Sequence, residues 1–328
     1  MNSYNSDNSS VIHNDSYYEC LKLDKKYGHE IEFFWIGGIA LVVMAAIGVI
    51  GNALSLITLL RPKFRNQAFY QILITLTLYD TLFIVTYAIC YGHYHMACRL
   101  PDGVYNLNIE RMTSPISDVG LYGSIYTTLA ISFERYLGLC HPFLKYRRKS
   151  WIYIVPIVII TFSFNIPHYF QFDFFMVNGT LETEPRPYFL RETYTLRYEM
   201  WASLFFEDLI PFPTILVLNC LILRTIRTSI PNSICNDKDR TTQEKQITKT
   251  VLIVVAVFLF CRSFGLIYFT LCYLGSEEDD FIRKWIFITP IFHFTEITNS
   301  SINFFIYCFV GTKFRNELII MFGRGKKF

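Results

Sequence analysis

Charged side chains stand inside stretches of this sequence that are otherwise apolar. Arg262 lies within the run Ile247 to Leu274, and a guanidinium stays protonated at any physiological pH. A charge in hydrocarbon costs about 3 kcal/mol or more unless it is paired or hydrated, so Arg262 requires a carboxylate partner. The acidic residues within or at the ends of other apolar stretches that qualify are Asp80, Asp118, Glu207, Asp208 and Glu296.

Hydrogen-bonding side chains interrupt the same apolar stretches. They are Asn52, Asp80, Ser124, Asn299, Ser300 and Asn303. Two interpretations stay open for each one: a hydrogen bond that joins two helices, or a part in a functional site. Because so many occur in one chain, the group as a whole favours function.

A carboxylate and a guanidinium are neighbours at Glu134 and Arg135, followed by Tyr136, where the third apolar stretch ends. Such a pair can be perturbed by another helix, which makes it suited to a switch. As a bare tripeptide the motif is weak.

The sequence offers no arrangement for catalysis, zinc binding or nucleic-acid binding. It has no nucleophile placed with a base and no phosphate-binding loop, so we expect no enzyme. Its 9 Cys residues form no CxxC pair and no zinc-ligand spacing. A net charge of +3 gives no bulk attraction to nucleic acid.

The apolar stretches predict an all-α membrane protein. Of the 328 residues 52% are hydrophobic and 17% are charged, and the apolar runs reach the length of about 18 residues that crosses a bilayer as a helix. The seven predicted spans are Phe33 to Leu60, Ala68 to Tyr91, Thr113 to Cys140, Trp151 to Phe172, Met200 to Arg227, Ile247 to Leu274 and Trp285 to Val310. An amino-terminal segment (1–32), a seven-helix domain (33–310) and a tail (311–328) follow from them.

The tail is expected to form a short amphipathic eighth helix, Lys313 to Phe322, on the inner leaflet. Its lipid-facing residues would be Phe314, Leu318, Ile319 and Phe322. Thr312 is the one residue of 311–328 that can be phosphorylated. Arrestin recruitment is therefore expected to depend on Thr241 and Thr242 in the third inner loop.

Charge distribution predicts the orientation. Lys and Arg concentrate in the loops after spans one, three and five and in the tail, which places these segments in the cytoplasm. The amino terminus is then extracellular, as expected for a plasma-membrane protein. Sequons for glycosylation at Asn8, Asn14 and Asn178 all fall on the outer side. The inner cations are expected to attract anionic membrane lipids.

Motifs in five spans resemble those of rhodopsin-like (class A) G-protein-coupled receptors. They are Gly51-Asn52, Asp80, Glu134-Arg135-Tyr136, Pro211 and Asn303-Phe304-Phe305-Ile306-Tyr307. Finer features resemble the FMRFamide-type neuropeptide receptors of invertebrates. These are Arg61-Pro62-Lys63-Phe64-Arg65, Leu76-Thr77-Leu78-Tyr79-Asp80, Cys140-His141-Pro142, Asn165-Ile166-Pro167 and Asn299-Ser300-Ser301-Ile302-Asn303. The resemblance, over residues 33 to 322, implies an extracellular peptide ligand, a heterotrimeric G protein as partner and no cofactor.

The sequence departs from the family pattern at its usual disulfide. Glu110 stands where the family has the extracellular Cys of span three, and the second outer loop has no Cys, so that bridge cannot form. A substitute bridge between Cys20 and Cys98 and two free thiols are the open alternatives.

Spans six and seven depart from the pattern as well. Arg262 and Phe264 replace the Trp and Pro of the span-six motif, and Phe304 replaces the Pro of span seven. Without these prolines both helices are expected to kink less. A receptor that has lost signalling is therefore one interpretation.

The resemblance also assigns a switch. Asp80, Ser124, Asn299 and Asn303 would line a cavity that holds a sodium ion, an allosteric modulator, in inactive receptors. Arg262 replaces the aromatic cap of that cavity, and we expect it to act as a tethered cation that pairs with Glu296 or Asp80 and reduces sodium sensitivity. A static ion pair is the alternative.

At the cytoplasmic end, the resemblance implies that Glu244 bridges to Arg135, because related receptors carry a bridging acidic residue at that position. Arg135 then has two candidate carboxylates, Glu134 and Glu244. We expect Glu244→Ala to raise basal signalling. The residues expected to serve switching and G-protein coupling are Glu134, Arg135, Tyr136, Glu244, Arg262, Asn303 and Tyr307.

Charge on the outer segments favours a cationic ligand, because acidic residues there outnumber basic ones. Neuropeptides that end in Arg-Phe-amide carry a positive charge beside an aromatic ring. The pocket is expected to hold four aromatic residues, Tyr122, Tyr126, Phe206 and Tyr268. Its charge partners would be Asp118, Glu207 and Glu296.

Alternatives to a peptide receptor can be weighed residue by residue. Ile297 stands where an opsin has its retinal-binding Lys. Ser117 stands where amine receptors have Asp, although Asp118 is one step away, so a small amine or another chemosensory ligand stays an alternative. A transporter would show an internal repeat or paired broken helices, and we find neither in the sequence.

Overall fold

A computed structural model describes residues 33–92, 107–140, 149–177, 180–185, 201, 204–229, 238–274 and 287–323. Its long helices are α1 (Phe33–Leu59), α2 (Ala68–Gly92), α3 (Leu107–Cys140), α4 (Trp151–Tyr169), α5 (Leu204–Leu209 with Pro211–Ser229), α6 (Lys238–Leu274), α7 (Ile288–Ser301 with Asn303–Val310) and α8 (Thr312–Phe322). A helical turn, Pro62–Arg65, joins α1 to α2, and an antiparallel hairpin, β1 (Phe172–Val177) with β2 (Thr180–Pro185), follows α4. The predicted seven-helix bundle with a short eighth helix is confirmed.

Five of the described helices are apolar and long enough to cross a membrane. They are α1, α2, α4, α5 and the Gln246–Tyr268 part of α6. Of the other two, α3 has the length but carries several charged residues, and α7 is divided into pieces of 14 and 8 residues.

The two helices that lack a family proline behave differently. Helix α6 runs without interruption past Phe264. Helix α7 is divided at Ile302, although Phe304 takes the place of the proline. The Asn52 side-chain amide of α1 donates to the Ser300 carbonyl at 3.3 Å, and a side chain inserted among backbone hydrogen bonds is a known cause of helix bending.

Many hydroxyl groups in the spans bond to their own helix. Thr58, Thr77 and Thr127 each donate to the carbonyl oxygen four residues earlier, at 2.8, 2.9 and 2.6 Å. This bond satisfies the hydroxyl where no water is present, so Thr adds little polarity to a membrane helix. Polar residues that bond between helices are therefore the more informative ones.

Helix α4 shows how the bundle separates lipid-facing from buried residues. Ile157, Thr161 and Asn165 are buried and recur every four residues along one face. Ile159 and Phe162, on the other faces, are at least half exposed. An apolar exposed surface of this kind is stable only against lipid or another membrane helix.

Among the described residues the most extensive contact between two helices joins α2 and α3, and it depends on a glycine. A Cβ atom at Gly120 would lie 2.7 Å from the backbone nitrogen of Phe83, closer than real Cβ contacts. We expect Gly120→Ala to destabilise the bundle by about 1–3 kcal/mol, because two backbones must separate. Gly138 on the same helix has nothing within 4 Å of its Cβ position, so Gly138→Ala is the matched control. Equal melting temperatures for the two purified variants would contradict the prediction.

Helix α8 is anchored to the bundle at both an apolar and a charged contact. Phe314 is buried against Tyr307, with ring centroids 5.5 Å apart, so the expectation that Phe314 faces lipid is wrong. Glu317 is buried and pairs with Arg61 at 3.2 Å and Lys63 at 2.9 Å. The exposed Ile319 and Phe322 are placed as the amphipathic pattern predicted, because the contacts of Phe314 and Glu317 fix which face turns inward.

Candidate ligand and switch site

Arg262 lies at the centre of a buried charge cluster that joins three helices. Its guanidinium contacts Asp208 at 2.6 Å and Glu207 at 3.3 Å on α5, and Glu296 at 3.0 Å on α7. Arg262, Asp208 and Glu296 are each exposed by 1% or less, and Glu207 by 8%. We call these four residues the Arg262 cluster.

The Arg262 cluster is short of positive charge and of hydrogen-bond donors. Three carboxylates face one guanidinium, so two negative charges are in formal excess. Among the described residues, Asp208 Oδ2 and Glu296 Oε2 are buried and accept no hydrogen bond. A buried carboxylate oxygen without a donor is costly, so this arrangement favours an added cation or proton.

Two carboxylates that the sequence offered as partners of Arg262 lie elsewhere. Asp118 is 31% exposed at its side chain and lies 3.8 Å from His168 of α4. Asp80 accepts hydrogen bonds from α3 and α7 residues deeper in the bundle. The expectation of a pair with Glu296 or Asp80 is thus met by Glu296.

An aromatic wall lies beside the cluster on α3, α4 and α5. Tyr122 is stacked parallel to Phe164 at 6.1 Å, and Phe164 contacts Phe206 at 3.9 Å between centroids. The Tyr126 hydroxyl donates to the Phe206 carbonyl at 3.0 Å. Tyr122 also forms a side-chain hydrogen bond with Glu207. Three of the four aromatic residues expected in the pocket therefore lie together.

A second aromatic wall is formed by α2, α6 and α7. Tyr268, the fourth expected residue, stacks on Phe292 at 4.6 Å with planes 2° apart. His293 bonds to the Tyr87 hydroxyl and stacks on Tyr91 at 4.3 Å. His293 belongs to none of the sequence motifs. The signal was available, because an imidazole inside a predicted span needs a partner as any polar group does.

Asp80 connects three helices deeper in the bundle. It is fully buried and accepts hydrogen bonds from Ser124 at 2.6 Å and Asn303 at 2.8 Å. Ser300 is a further hydrogen-bonding neighbour. Asn299, the fourth expected sodium ligand, is half-buried and makes no hydrogen bond to Asp80. The oxygens of Asp80, Ser124 and Ser300 are hard ligands of the kind that bind alkali or alkaline-earth cations.

Arg135 is held at the other end of α3 by its neighbour. Its guanidinium contacts the Glu134 carboxylate at 2.5 and 2.7 Å, and it lies 4.0 Å above the Phe69 ring. Both charged residues are buried, whereas Tyr136 is half-buried. The hydroxyl of the buried Tyr307 has no partner within the residues that the structure describes.

Several predicted features cannot be placed. Glu244, Thr241 and Thr242 lie on the backbone of α6, but their side chains are outside the described residues. The sequon residues Asn8, Asn14 and Asn178 and the thiols of Cys20, Cys98 and Cys272 are outside them as well. Thr312 is half-buried, and its hydroxyl bonds to the Gln246 side chain.

Comparison with known proteins identifies the family. The model of the 7 transmembrane receptor (rhodopsin family) matches residues 51–307. An FMRFamide receptor of Drosophila melanogaster is 29% identical over 321 residues, which cover 88% of this chain but only 54% of that protein. Human cysteinyl leukotriene receptor 2 is 26% identical over 88% of this chain and 78% of its own length. The human type-2 angiotensin II receptor is 26% identical over 76% of this chain and 66% of its own. The chain therefore belongs to the rhodopsin family of seven-transmembrane, G-protein-coupled receptors, a class of multi-pass membrane proteins and not of enzymes.

Proposed function

We propose that this chain is a plasma-membrane receptor for an extracellular, cationic, amidated neuropeptide of the FMRFamide-like class. The observation that carries the proposal is the Arg262 cluster with aromatic side chains beside it, Tyr122 bonded to Glu207 and Phe292 next to Glu296 at Gly265. An Arg-Phe-amide end would bring a guanidinium to the carboxylates and a ring to the aromatic side chains.

The surroundings of the cluster support a peptide over a small amine. Ser117, at the position where an amine receptor has its Asp, is buried. Asp118, one residue on, is near His168 instead of the cluster. The outer segments carry an acidic excess, including Glu277-Glu278-Asp279-Asp280, which would speed the approach of a cationic peptide. The Drosophila relative named an FMRFamide receptor adds to this support.

Signalling would pass from the cluster to the end of α3. We propose that the amino terminus is extracellular, so that Arg135 lies at the cytoplasmic face and meets the G protein when Glu134 releases it. The exposed apolar side chains of α8 and the inner cations would contact membrane lipids. The Thr312 hydroxyl is bonded to the Gln246 side chain, so Thr241 and Thr242 of the third inner loop are the proposed phosphorylation sites for arrestin.

The Asp80 site is proposed to hold sodium in the inactive receptor. We expect the ligand-free receptor to melt at a higher temperature in sodium chloride than in choline chloride of equal ionic strength, by about 2–4 °C for each kcal/mol of binding. Asp80→Asn and Ser124→Ala should remove the difference. Ser55→Ala, at a buried Ser of α1, is the control. No sodium effect in the wild type would rule out the site.

The ligand class is tested by calcium and cyclic-AMP responses of transfected cells to a panel of amidated peptides, several ending in Arg-Phe-amide. A response at sub-micromolar concentration, absent from mock-transfected cells, is expected. A panel of small amines and lipids is run beside it. Silence to every peptide despite surface expression, or a response to an amine alone, would overturn the peptide assignment.

A further inference from the structure

The three carboxylates of the Arg262 cluster are not equivalent. Asp208 is fully buried and contacts Arg262 at both Nε and Nη2, at 3.1 and 2.6 Å. Glu296, 1% exposed, contacts Nη1 at 3.0 Å. Glu207 makes the longest contact, 3.3 Å, and is the most exposed of the three at 8%.

These differences in contact distance and exposure indicate that two of the carboxylates hold Arg262 in place and that the third can exchange partners. Asp208 and Glu296 hold Arg262 from opposite sides on α5 and α7, and each is closed to solvent. Glu207 shares a guanidinium nitrogen, Nη2, that Asp208 contacts more closely. Arg262 therefore loses least when Glu207 turns to another cation.

The cluster also favours an added cation or proton beyond what the described residues supply. Its formal excess of two negative charges remains after Arg262 is counted. Oxygens of both anchors, Asp208 Oδ2 and Glu296 Oε2, also accept no hydrogen bond, whereas Glu207 is the carboxylate with the greatest exposure to an incoming group. Buried charge pairs are stable only when the charges and the hydrogen bonds are both satisfied.

We propose that Glu207 is the acceptor for the ligand's cationic group, while Asp208 and Glu296 serve as fixed anchors of Arg262. This inference rests on the proposed function, because it assigns the contact that selects a positively charged ligand. It divides the acids that the sequence grouped together: Glu207 determines ligand charge, and Glu296 positions Arg262.

The test compares two probes on the purified full-length receptor. N-acetyl-Arg-Phe-amide carries one guanidinium, and N-acetyl-citrulline-Phe-amide is its neutral counterpart. Affinities are read from thermal stabilisation as each probe is titrated. The wild type is expected to prefer the charged probe by about tenfold or more, as for one charge-assisted hydrogen bond. Glu207→Gln should bring the ratio close to one, and Glu207→Asp should retain part of it.

The melting temperature of the ligand-free receptor distinguishes the two anchors, Asp208 and Glu296, from the acceptor, Glu207. Asp208→Asn and Glu296→Gln should lower the melting temperature, because Arg262 loses a partner. Glu207→Gln should leave it unchanged or raise it, because the negative excess falls. A melting temperature that falls as far in Glu207→Gln as in Asp208→Asn would overturn the division.

Other results of the two-probe assay would also overturn the inference. A ratio near one in the wild type, or a ratio that survives Glu207→Gln, would overturn the inference, as would a ratio abolished by Asp118→Asn alone. The cell assay judges the proposed function separately. If cells respond to amidated peptides but the purified receptor binds both probes equally, the role of Glu207 is wrong and the proposed function stands. If the purified receptor prefers the charged probe but cells respond to no peptide, Glu207 remains the cation acceptor and the assignment of a peptide ligand is wrong.

Discussion

Replacing Arg262 by methionine is expected to destabilise the receptor by about 3–5 kcal/mol, the range for removing one partner of a buried ion pair. Methionine fills much of the arginine volume, so the loss is chiefly electrostatic. Three carboxylates with exposures of 8% or less would be left in the bundle without a cation. The measurements are the melting temperature of the purified protein and its surface expression.

Two further variants make this result specific to the cluster. Arg315→Met removes an exposed arginine on α8 and should change the melting temperature little. A quadruple variant combines Arg262→Met with Glu207→Gln, Asp208→Asn and Glu296→Gln. It removes every charge of the cluster, and replacing a whole buried ion set is often neutral. Recovery of expression in the quadruple variant is expected, and a quadruple variant no better than Arg262→Met alone would argue against an electrostatic cause.

Glu134→Gln is expected to raise basal signalling by about tenfold, because a charge-assisted hydrogen bond of about 1.5–3 kcal/mol that holds the resting state is weakened. The Glu134 contact to Arg135 is short, at 2.5 and 2.7 Å, and buried on both sides. Ligand-independent second-messenger level, normalised to surface expression, is the readout.

The matched control for this variant is Glu317→Gln. It also removes a buried carboxylate that is paired with basic residues, Arg61 and Lys63, but it lies on α8. It should change basal signalling much less than Glu134→Gln. Glu244→Ala remains the second test of how Arg135 is restrained. Equal signalling from Glu134→Gln and wild type at matched expression would show that this contact does not restrain the switch.

The sequence predicted that Arg262 needs a carboxylate, because the cost of an isolated charge in hydrocarbon does not depend on the fold. It could not choose among five acids, because the choice depends on which helix faces meet. Asp118 is turned toward His168, and Asp80 is occupied by Ser124 and Asn303. The number of helices was predictable for the same reason as the need for a partner: both follow from residue type and run length.

Other features depended on contacts between distant segments. Phe314 was expected to face lipid because it fits an apolar stripe, but Tyr307 offers it an aromatic contact inside the bundle. The division of α7 at Ile302 has no proline as its signal, and the Asn52 contact with Ser300 comes from a helix some 250 residues earlier. A periodic pattern indicates which side of a helix is apolar, but it does not indicate which neighbour covers it.

The uninterrupted length of α6 has a mechanical consequence. From Arg262 to the beginning of the helix at Lys238 the axis extends about 36 Å, at about 1.5 Å per residue. With the helix pinned at Arg262 and stiff along this arm, a tilt of about 10° would carry the Lys238 end through about 6 Å. The family's helix six usually bends at its proline, whereas this one would act as a rigid lever with its pivot at the ion cluster. A change in the contacts of Glu207, Asp208 and Glu296 that tilts the helix would then move the Lys238 end farther than any residue near the cluster.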